Sequence, residues 1–150
     1  MLLDQDHLMI RDAVRTFVRD AVTPNAARWD RERTFPADVH RQLAELGAYG
    51  VLVPEEYGGA GADHVAYALA LAEIAAGDGA LSTVVSGHNS VGVMPILNYG
   101  TEAQKQRYVR DLAAGAKLTA FCLTDPPCGS VRQNAPSISP RASGVSQSRF

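Results

Sequence analysis

The sequence predicts a mainly α-helical domain, a helical bundle of about six helices, followed by the start of a β domain. Apolar residues recur at steps of three, four and seven in the first part of the chain, which is the spacing of one helix face. After Lys117 the pattern changes to that of a strand, and after Ser130 no periodicity remains. We therefore expect a helical domain at 1–117, a first strand and turn at 118–130, and a disordered tail at 131–150.

Composition and charge limit the classes of protein to consider. The 150 residues are 46% hydrophobic and 20% charged with a net charge of -2, which is typical of a globular domain and gives no reason to expect a nucleic-acid partner. The longest apolar run, 65–76, contains Glu73 and is shorter than the roughly 20 residues that cross a bilayer, so we expect no membrane partner. Asp4 and Asp6 argue against a leader peptide. We expect a cytoplasmic chain, or a mitochondrial matrix chain if it has already been processed.

The first helix is predicted by apolar residues that share one face, namely Leu3, Ile10, Val14, Phe17 and Ala21. Asp4 or Asp6 can cap its start, and Pro24 either ends it or begins the next turn. A short second helix is expected over 24–30, with Trp29 as its apolar anchor.

The third helix begins near Pro36, which suits a first helical turn, and Gly47 is its expected C-terminal cap. Its predicted apolar stripe is Val39, Leu43 and Leu46. The fourth helix, 63–76, is rich in alanine and leucine, so we expect it to be central. Its predicted buried face is Val65, Leu69, Ala72 and Ala76.

Three glycines in Gly58-Gly59-Ala60-Gly61 mark the connection between these two helices. The segment lacks the Lys-Ser/Thr pair of a phosphate-binding P-loop and the strand context of a dinucleotide-binding turn. We therefore interpret it as a loop of glycines with positive φ. The adjacent Glu55 and Glu56 are predicted to be solvated rather than a catalytic pair.

Three further helices are predicted over 81–86, 91–99 and 101–112. The first of them follows a break at 77–79. Thr101 and Gln104 have the spacing of a capping box, in which each side chain bonds the other residue's backbone N–H group. This box should start the last helix.

The histidines and cysteines predict no metal centre. His7, His40 and His64 are expected on the surface. The segment 88–90, His-Asn-Ser, either caps a helix that begins at Val91 or lines a cavity. The two cysteines, Cys122 and Cys128, are separated by five residues and fit no zinc spacing, so we predict plain thiols in a reducing compartment.

The predicted strand ends at Thr124, and a proline-containing turn leads to Gly129 and Ser130. Hydroxyl and backbone N–H groups presented together can donate to an anionic or carbonyl-rich cofactor. Glycine at 129 allows a close approach of the backbone. Ordinary turn chemistry is the alternative interpretation.

Four motifs follow one another in order, namely 46–61, 88–90, 95–105 and 118–126 (LGAYGVLVPEEYGGAG, HNS, PILNYGTEAQK and LTAFCLTDP). Together they resemble the N-terminal part of an acyl-CoA dehydrogenase, over about 130 residues of this chain and roughly the first third of a family member. The resemblance implies an all-α domain, a β domain and a C-terminal helical bundle, with FAD between the last two. It also implies removal of an α-proton from an acyl-CoA thioester and hydride transfer to FAD.

The resemblance also implies cofactor-binding positions, namely Phe121, Leu123, Thr124, Gly129 and Ser130. The backbone of the first two would run beside the flavin, the Thr124 hydroxyl would contact its ring, and the last two would bind its diphosphate. Ser130 would also lie near the substrate thioester, and 88–90 resembles a segment that lines the acyl pocket. No catalytic residue is expected in this chain, because the family's catalytic carboxylate belongs to the C-terminal bundle. The implied partners are acyl-CoA, electron-transfer flavoprotein and further copies of the chain.

The sequence departs from the family pattern near its end. The family has Glu-Pro, two small residues and Gly-Ser-Asp, whereas this chain has Asp125-Pro126-Pro127-Cys128-Gly129-Ser130-Val131. The segment 131–150 holds three arginines and no acidic residue, which suggests a reading-frame change or a truncated gene. We expect an N-terminal fragment that is inactive alone. The alternatives are a non-catalytic helical module that associates with intact family subunits, and an unrelated helical domain.

Overall fold

Helices dominate the computed structural model, which describes residues 3–120. The α-helices are α1 (Gln5–Phe17), α2 (Ala26–Glu32), α3 (Ala37–Glu45), α4 (His64–Gly77), α5 (Gly79–Gly87), α6 (Met94–Tyr99) and α7 (Glu102–Ala113). Two π-helical segments, Val18–Val22 and His88–Val93, continue α1 and join α5 to α6. Within the described residues the α- and π-helices therefore form six uninterrupted runs, besides a 3-10 turn at Glu55–Tyr57. The predicted mainly α fold of about six helices is confirmed.

Local capping signals are confirmed where the sequence placed them. Asp4 caps α1 through a capping box with His7, and Thr101 caps α7 through a capping box with Gln104. Gly47 has a φ of 78° directly after the end of α3, a left-handed conformation that glycine adopts without steric cost. These helix ends satisfy backbone groups that would otherwise lack partners.

The predicted helices over 81–86 and 91–99 form a single run, because the backbone between them stays helical as the segment His88–Val93. The only interruption between α4 and α5 is Asp78, which is extended with a φ of -157°. Its carboxylate accepts a hydrogen bond of 2.7 Å from the Leu81 N–H group and so starts α5. An aspartate at this position is a favoured N-cap.

The buried face of α4 differs from the predicted one. Its buried residues are Ala66, Ala70 and Ile74, whereas Val65 and Leu69 are half-buried, and the predicted Ala72 and Ala76 are exposed. Because nearly every position of α4 is apolar, the sequence pattern does not distinguish one face from another. Packing against α1 and α5 makes that choice, and alanines allow the helices to approach closely.

Two apolar clusters form the core. The larger joins α1 to α5, with the buried residues Val14, Val18, Val22, Trp29, Val39, Leu43, Ala48, Tyr49, Ala70, Ile74, Leu81 and Val85. The smaller joins the loop after α3 to α6 and α7, with the buried residues Val53, Tyr57, Val93, Ile96, Val109, Leu112 and Ala113. The predicted anchor Trp29 and the stripe residues Val39 and Leu43 are buried, whereas Leu46 is exposed.

His7 is buried, contrary to the prediction of a surface residue, whereas His64 is exposed as expected. The Nδ1 atom of His7 accepts from the Asp4 N–H group at 3.2 Å, and Nε2 lies 2.9 Å from an Asp63 carboxylate oxygen. Asp63 also accepts from the Val65 and Ala66 N–H groups at the start of α4. Hydrogen bonds lower the pKa of the Asp63 carboxyl; the bond from the Ala66 N–H group has the largest effect and the bond from His7 the second largest. His7 therefore ties the start of α1 to the start of α4.

We expect His7→Ala to lower the free energy of unfolding by about 2 kcal/mol, because it removes a capping-box partner and the part-buried hydrogen bond to Asp63. His7→Gln should lose less, since glutamine is a favoured partner at this position of a capping box. Urea unfolding at pH 7 measures both values. Equal losses for the two variants would show that the cap contributes nothing.

The predicted strand is described over residues 118–120, which have no regular secondary structure. The rest of the predicted strand and turn, and the predicted tail, lie outside the described residues. Across residues 3–120, no helix combines the length and the apolar character that crossing a membrane requires.

Candidate functional site

Among the described residues after α4, the π-helical segment His88–Val93 is the one departure from α-helical geometry within a helical run. It buries His88, Asn89, Gly92 and Val93. Short π-helical insertions within α-helices are rare and occur frequently at functional sites. The candidate site is therefore centred on this segment.

His88 connects three parts of the chain. Its Nε2 atom lies 3.1 Å from the Leu112 carbonyl oxygen at the end of α7, and its Nδ1 atom lies 3.3 Å from the Thr119 backbone nitrogen. The Thr119 hydroxyl donates to the His88 carbonyl oxygen at 3.3 Å. Tyr49 packs edge-on against the imidazole, with 4.9 Å between the ring centroids. The contacts hold residue 119 against the middle of the helical run 79–99.

The electrostatics of His88 favour its neutral form. Burial lowers the pKa of His88 to about 4, although the hydrogen bond to the Leu112 carbonyl opposes the shift. A carbonyl oxygen can only accept and a backbone N–H group can only donate, so Nε2 carries the proton and Nδ1 is the acceptor. At neutral pH His88 is therefore a positioning group rather than a proton donor.

The neighbouring polar residues bond the backbone of their own surroundings. Asn89 donates to the Ala48 carbonyl at 2.9 Å and to the Val85 carbonyl at 3.0 Å. Ser90 donates to the Ser86 carbonyl at 2.7 Å and is exposed, as is Val91. The expectation that 88–90 caps a helix at Val91 is wrong, because the helix continues through this segment and these side chains bond other carbonyls.

The predicted cofactor residues lie just beyond this site along the chain. Phe121, Leu123, Thr124, Gly129 and Ser130 are outside the described residues, as are Cys122 and Cys128. Thr119 is two residues before the first of them. The structure thus describes how the chain is held at the start of the predicted strand, just before the predicted flavin contacts. No sequence signal indicated that His88 would bind Thr119, since His88 and Thr119 are 31 positions apart.

The glycine-rich connection is not a phosphate site. Gly58 and Gly61 have φ values of 83° and 60°, which confirms the predicted positive φ at two of the three glycines. The loop's amides bond carbonyls within the loop, with Gly58 to Glu55, Ala60 to Gly50 and Gly61 to Val53 at 2.8, 2.9 and 2.8 Å. Glu55 and Glu56 are exposed, as predicted. These donors are occupied, so the loop has a structural role.

A second buried histidine was also predicted to be on the surface. His40 stacks on Phe35, with 4.2 Å between ring centroids, and the Tyr49 hydroxyl hydrogen-bonds its Nδ1 atom. Burial lowers the pKa of His40 to about 4 and raises that of Tyr49. Two open clefts, with volumes of about 570 and 580 Å³, share His40 and Phe35 as lining residues. Tertiary packing places these rings together, and their spacing in the sequence carries no signal for it.

Comparison with known proteins supplies the family context. Residues 4–116 match the sequence profile of the family described as "Acyl-CoA dehydrogenase, N-terminal domain". The chain is 42% identical over 130 residues to an acyl-CoA dehydrogenase of Bacillus subtilis, covering 87% of this chain and 34% of that protein. It is 39% identical over 128 residues to the short-chain specific mitochondrial acyl-CoA dehydrogenase of Bos taurus, covering 85% and 31%. The chain spans about a third of the length of these relatives.

Solved structures have the same fold over the same region. Butyryl-CoA dehydrogenase from Megasphaera elsdenii superposes with a TM-score of 0.80 at 30% identity, covering 86% of this chain and 34% of that one. Glutaryl-CoA dehydrogenase from Mycobacterium smegmatis in complex with FADH2 gives 0.77 at 37% identity, covering 83% and 32%. A structure of the electron transferring flavoprotein of Acidaminococcus fermentans gives 0.81 at 33% identity, covering 86% and 34%.

Proposed function

The chain belongs to the acyl-CoA dehydrogenase family through that family's N-terminal domain, and on this premise we propose that its helical domain lines the acyl pocket of a flavin-dependent acyl-CoA dehydrogenase. The observation that carries the proposal is the family match over residues 4–116. This match ends three residues before Thr119, whose N–H group lies against His88. A relative at 37% identity is described in complex with FADH2, which supports a flavin as the cofactor.

The chemistry of the predicted donors suits FAD. The hydroxyls of Thr124 and Ser130, with backbone N–H groups near Gly129, would bind carbonyl oxygens of the ring and the anionic diphosphate. The backbone of Phe121 and Leu123 would run beside the ring. When bound, FAD supplies an acceptor for the hydride that leaves the acyl β-carbon. Ser130 would also orient the thioester end of the substrate.

The helical domain would contribute binding and exclusion of water rather than proton transfer. His88 is neutral with both ring nitrogens engaged, so it does not act as the base. The exposed side chains of Ser90 and Val91 are the part of the segment 88–91 available to contact an acyl chain. The family resemblance assigns the base to a carboxylate in a C-terminal bundle, outside these 150 residues.

We expect the 150-residue polypeptide alone to show no acyl-CoA-dependent bleaching of added FAD under anaerobic conditions. It supplies neither the base nor the C-terminal bundle that would complete the flavin site. Absorbance spectra with short-, medium- and branched-chain acyl-CoAs measure this. The intact Bacillus subtilis relative is the positive control. Clear bleaching by the polypeptide would contradict the assignment of the base.

A chimera tests the positive part of the proposal. Residues 1–117 would replace the corresponding domain of the Bacillus subtilis relative, to which the chain is 42% identical. We expect a folded, flavin-binding protein that is bleached by acyl-CoA, with an altered preference for acyl chain length. A chimera that folds and binds FAD but is not bleached by any acyl-CoA would contradict the proposed role.

A second candidate is a non-catalytic module that associates with intact family subunits. A groove of about 600 Å³ between α4 and α5 is lined by small and apolar residues, including Ala68, Leu71 and Ala72, and Tyr99 is 87% exposed. Apolar surface of this kind favours association. Co-purification with a full-length dehydrogenase would support this role, and a clean monomer in its presence would argue against it.

Electron-transfer flavoprotein is the proposed electron acceptor of the complete enzyme. The support is the structural similarity to a chain in the structure described as the electron transferring flavoprotein of Acidaminococcus fermentans, at a TM-score of 0.81. Homo-oligomerisation is likewise proposed from the family. Sedimentation of the chain and of the chimera measures it.

A further inference from the structure

The π-helical segment has a gap where the Thr119 side chain lies. A Cβ atom on Gly92 would be 1.7 Å from the Thr119 Oγ1 atom and 2.5 Å from its Cβ atom, far closer than atoms can approach. Gly92 does not have a positive φ. Glycine is therefore required here for space rather than for backbone conformation.

Three contacts then hold Thr119 in this gap. Its N–H group donates to Nδ1 of His88, its hydroxyl donates to the His88 carbonyl, and its side chain lies on the bare Cα of Gly92. Thr119 is buried, with 9% of its surface exposed. All three contacts come from the π-helical segment.

The imidazole couples this gap to α7. Donation from Nε2 to the Leu112 carbonyl requires the proton on Nε2, and acceptance from Thr119 requires a bare Nδ1. The other neutral tautomer would direct an N–H group at the Thr119 N–H group and leave Nε2 facing a carbonyl oxygen. Only one tautomer satisfies both contacts.

We propose that the segment His88–Val93 is a seat for Thr119 that fixes where the chain leaves the helical domain, and that His88, in its Nε2–H tautomer, is the positioning residue of this seat. The seat would fix the position at which the predicted flavin strand begins. This consequence for flavin binding rests on the proposed function. The seat itself is a property of the described residues and can be measured without flavin.

Amide hydrogen exchange in the full chain tests the seat, with Gly92→Ala as the main variant and Gly87→Ala as its matched control. Gly87 lies in the same helical run, and a Cβ there would meet nothing within 4 Å. We expect Gly92→Ala to speed exchange of the Thr119 amide about tenfold or more relative to the Val85 amide, and Gly87→Ala to leave that ratio unchanged. Unchanged exchange at Thr119 in Gly92→Ala would overturn the proposal.

His88→Gln tests the positioning role. Glutamine retains a donor for the Leu112 carbonyl but has no acceptor where Nδ1 lies, so Thr119 exchange should rise while α7 stays protected. Asn89→Leu is the control, since it removes buried hydrogen bonds that do not involve Thr119. If both variants raise Thr119 exchange only in step with global unfolding, His88 has no specific role.

A spectroscopic measurement on the unmodified chain keeps the test independent of variant folding. Nitrogen NMR of the His88 ring should report a protonated Nε2 and an unprotonated Nδ1 at pH 7. The reverse tautomer would overturn the proposal. If Thr119 is protected in the 150-residue chain but the chimera is not bleached by acyl-CoA, the result would instead count against the proposed function alone.

Discussion

Gly59→Ala should destabilise the domain by about 3 kcal/mol, the largest effect that we expect from removing a single glycine. A Cβ atom at this position would be 2.1 Å from the Val53 carbonyl oxygen and 2.3 Å from its Cβ atom. Val53 is fully buried, and its carbonyl accepts the Gly61 N–H group at 2.8 Å. Because backbone rather than a flexible side chain is in the way, the loop and the smaller apolar cluster must both shift.

Gly79→Ala is the matched control, since a Cβ there meets nothing within 4 Å. We expect it to change stability by less than about 1 kcal/mol and to be neutral or stabilising, because alanine restricts the unfolded chain. Guanidinium unfolding of both variants measures the difference. Similar stabilities for the two variants would show that the loop accommodates a side chain at position 59. The tight packing of Gly59 against Val53 would then be wrong.

Acid should destabilise the domain as the pH falls from 6.5 towards 4, beginning before its carboxylates are protonated. Burial lowers the pKa values of both His40 and His88 to about 4 in the folded state, against an ordinary value of 6.5. Between these two values the unfolded chain binds protons at these histidines and the folded chain does not. Stability therefore rises with pH through this window and falls as the pH is lowered.

The expected loss is about 2 to 3 kcal/mol for each histidine across the window. The sum is comparable with the whole stability of a small domain, so we expect unfolding near the lower end of the window. The pKa values of the Asp63, Glu73 and Glu102 carboxyls are lowered by their partners, so their stabilising contribution is present above about pH 4.5 and is lost below it. Measurements between pH 4.5 and 6.5 therefore isolate the histidines.

Urea unfolding at several pH values, followed by circular dichroism, measures this dependence. His40→Gln should flatten the pH profile by about half, since one of the two histidines whose pKa is lowered by burial no longer titrates. His64→Gln is the control, because His64 is exposed and should leave the slope unchanged. A profile that is flat from pH 6.5 to 4.5 in the unmodified chain would contradict the burial of both imidazoles as neutral groups.

Helix ends were predictable because their interactions are local. The caps at Asp4 and Thr101 join residues three apart, and Gly47 ends α3 through its own backbone conformation. Such pairs are close in any conformation with helical backbone, so residue type and spacing are sufficient to predict them. The first three family motifs, 46–61, 88–90 and 95–105, were equally readable and lie within the family profile match over residues 4–116.

The candidate site was not predictable in the same way. His88 meets Thr119 across 31 positions, and His7 meets Asp63 across 56. His7 stands as an isolated polar residue in the sequence, and His88 belongs to the polar motif 88–90, so neither pattern identifies its distant partner. The flavin-contact assignments, Phe121 to Ser130, lie outside the described residues and stay predictions of the family resemblance.

The sequence alone was sufficient to predict the caps at Asp4, Gly47 and Thr101 and the family of the chain, because these depend on interactions within a few residues and on motif order. Tertiary structure alone decided which face of α4 is buried, which histidines are inside, and that Gly92 gives space to Thr119. The physical reason is that several faces and partners satisfy the same local pattern equally well. Only the simultaneous packing of all the helices selects among them.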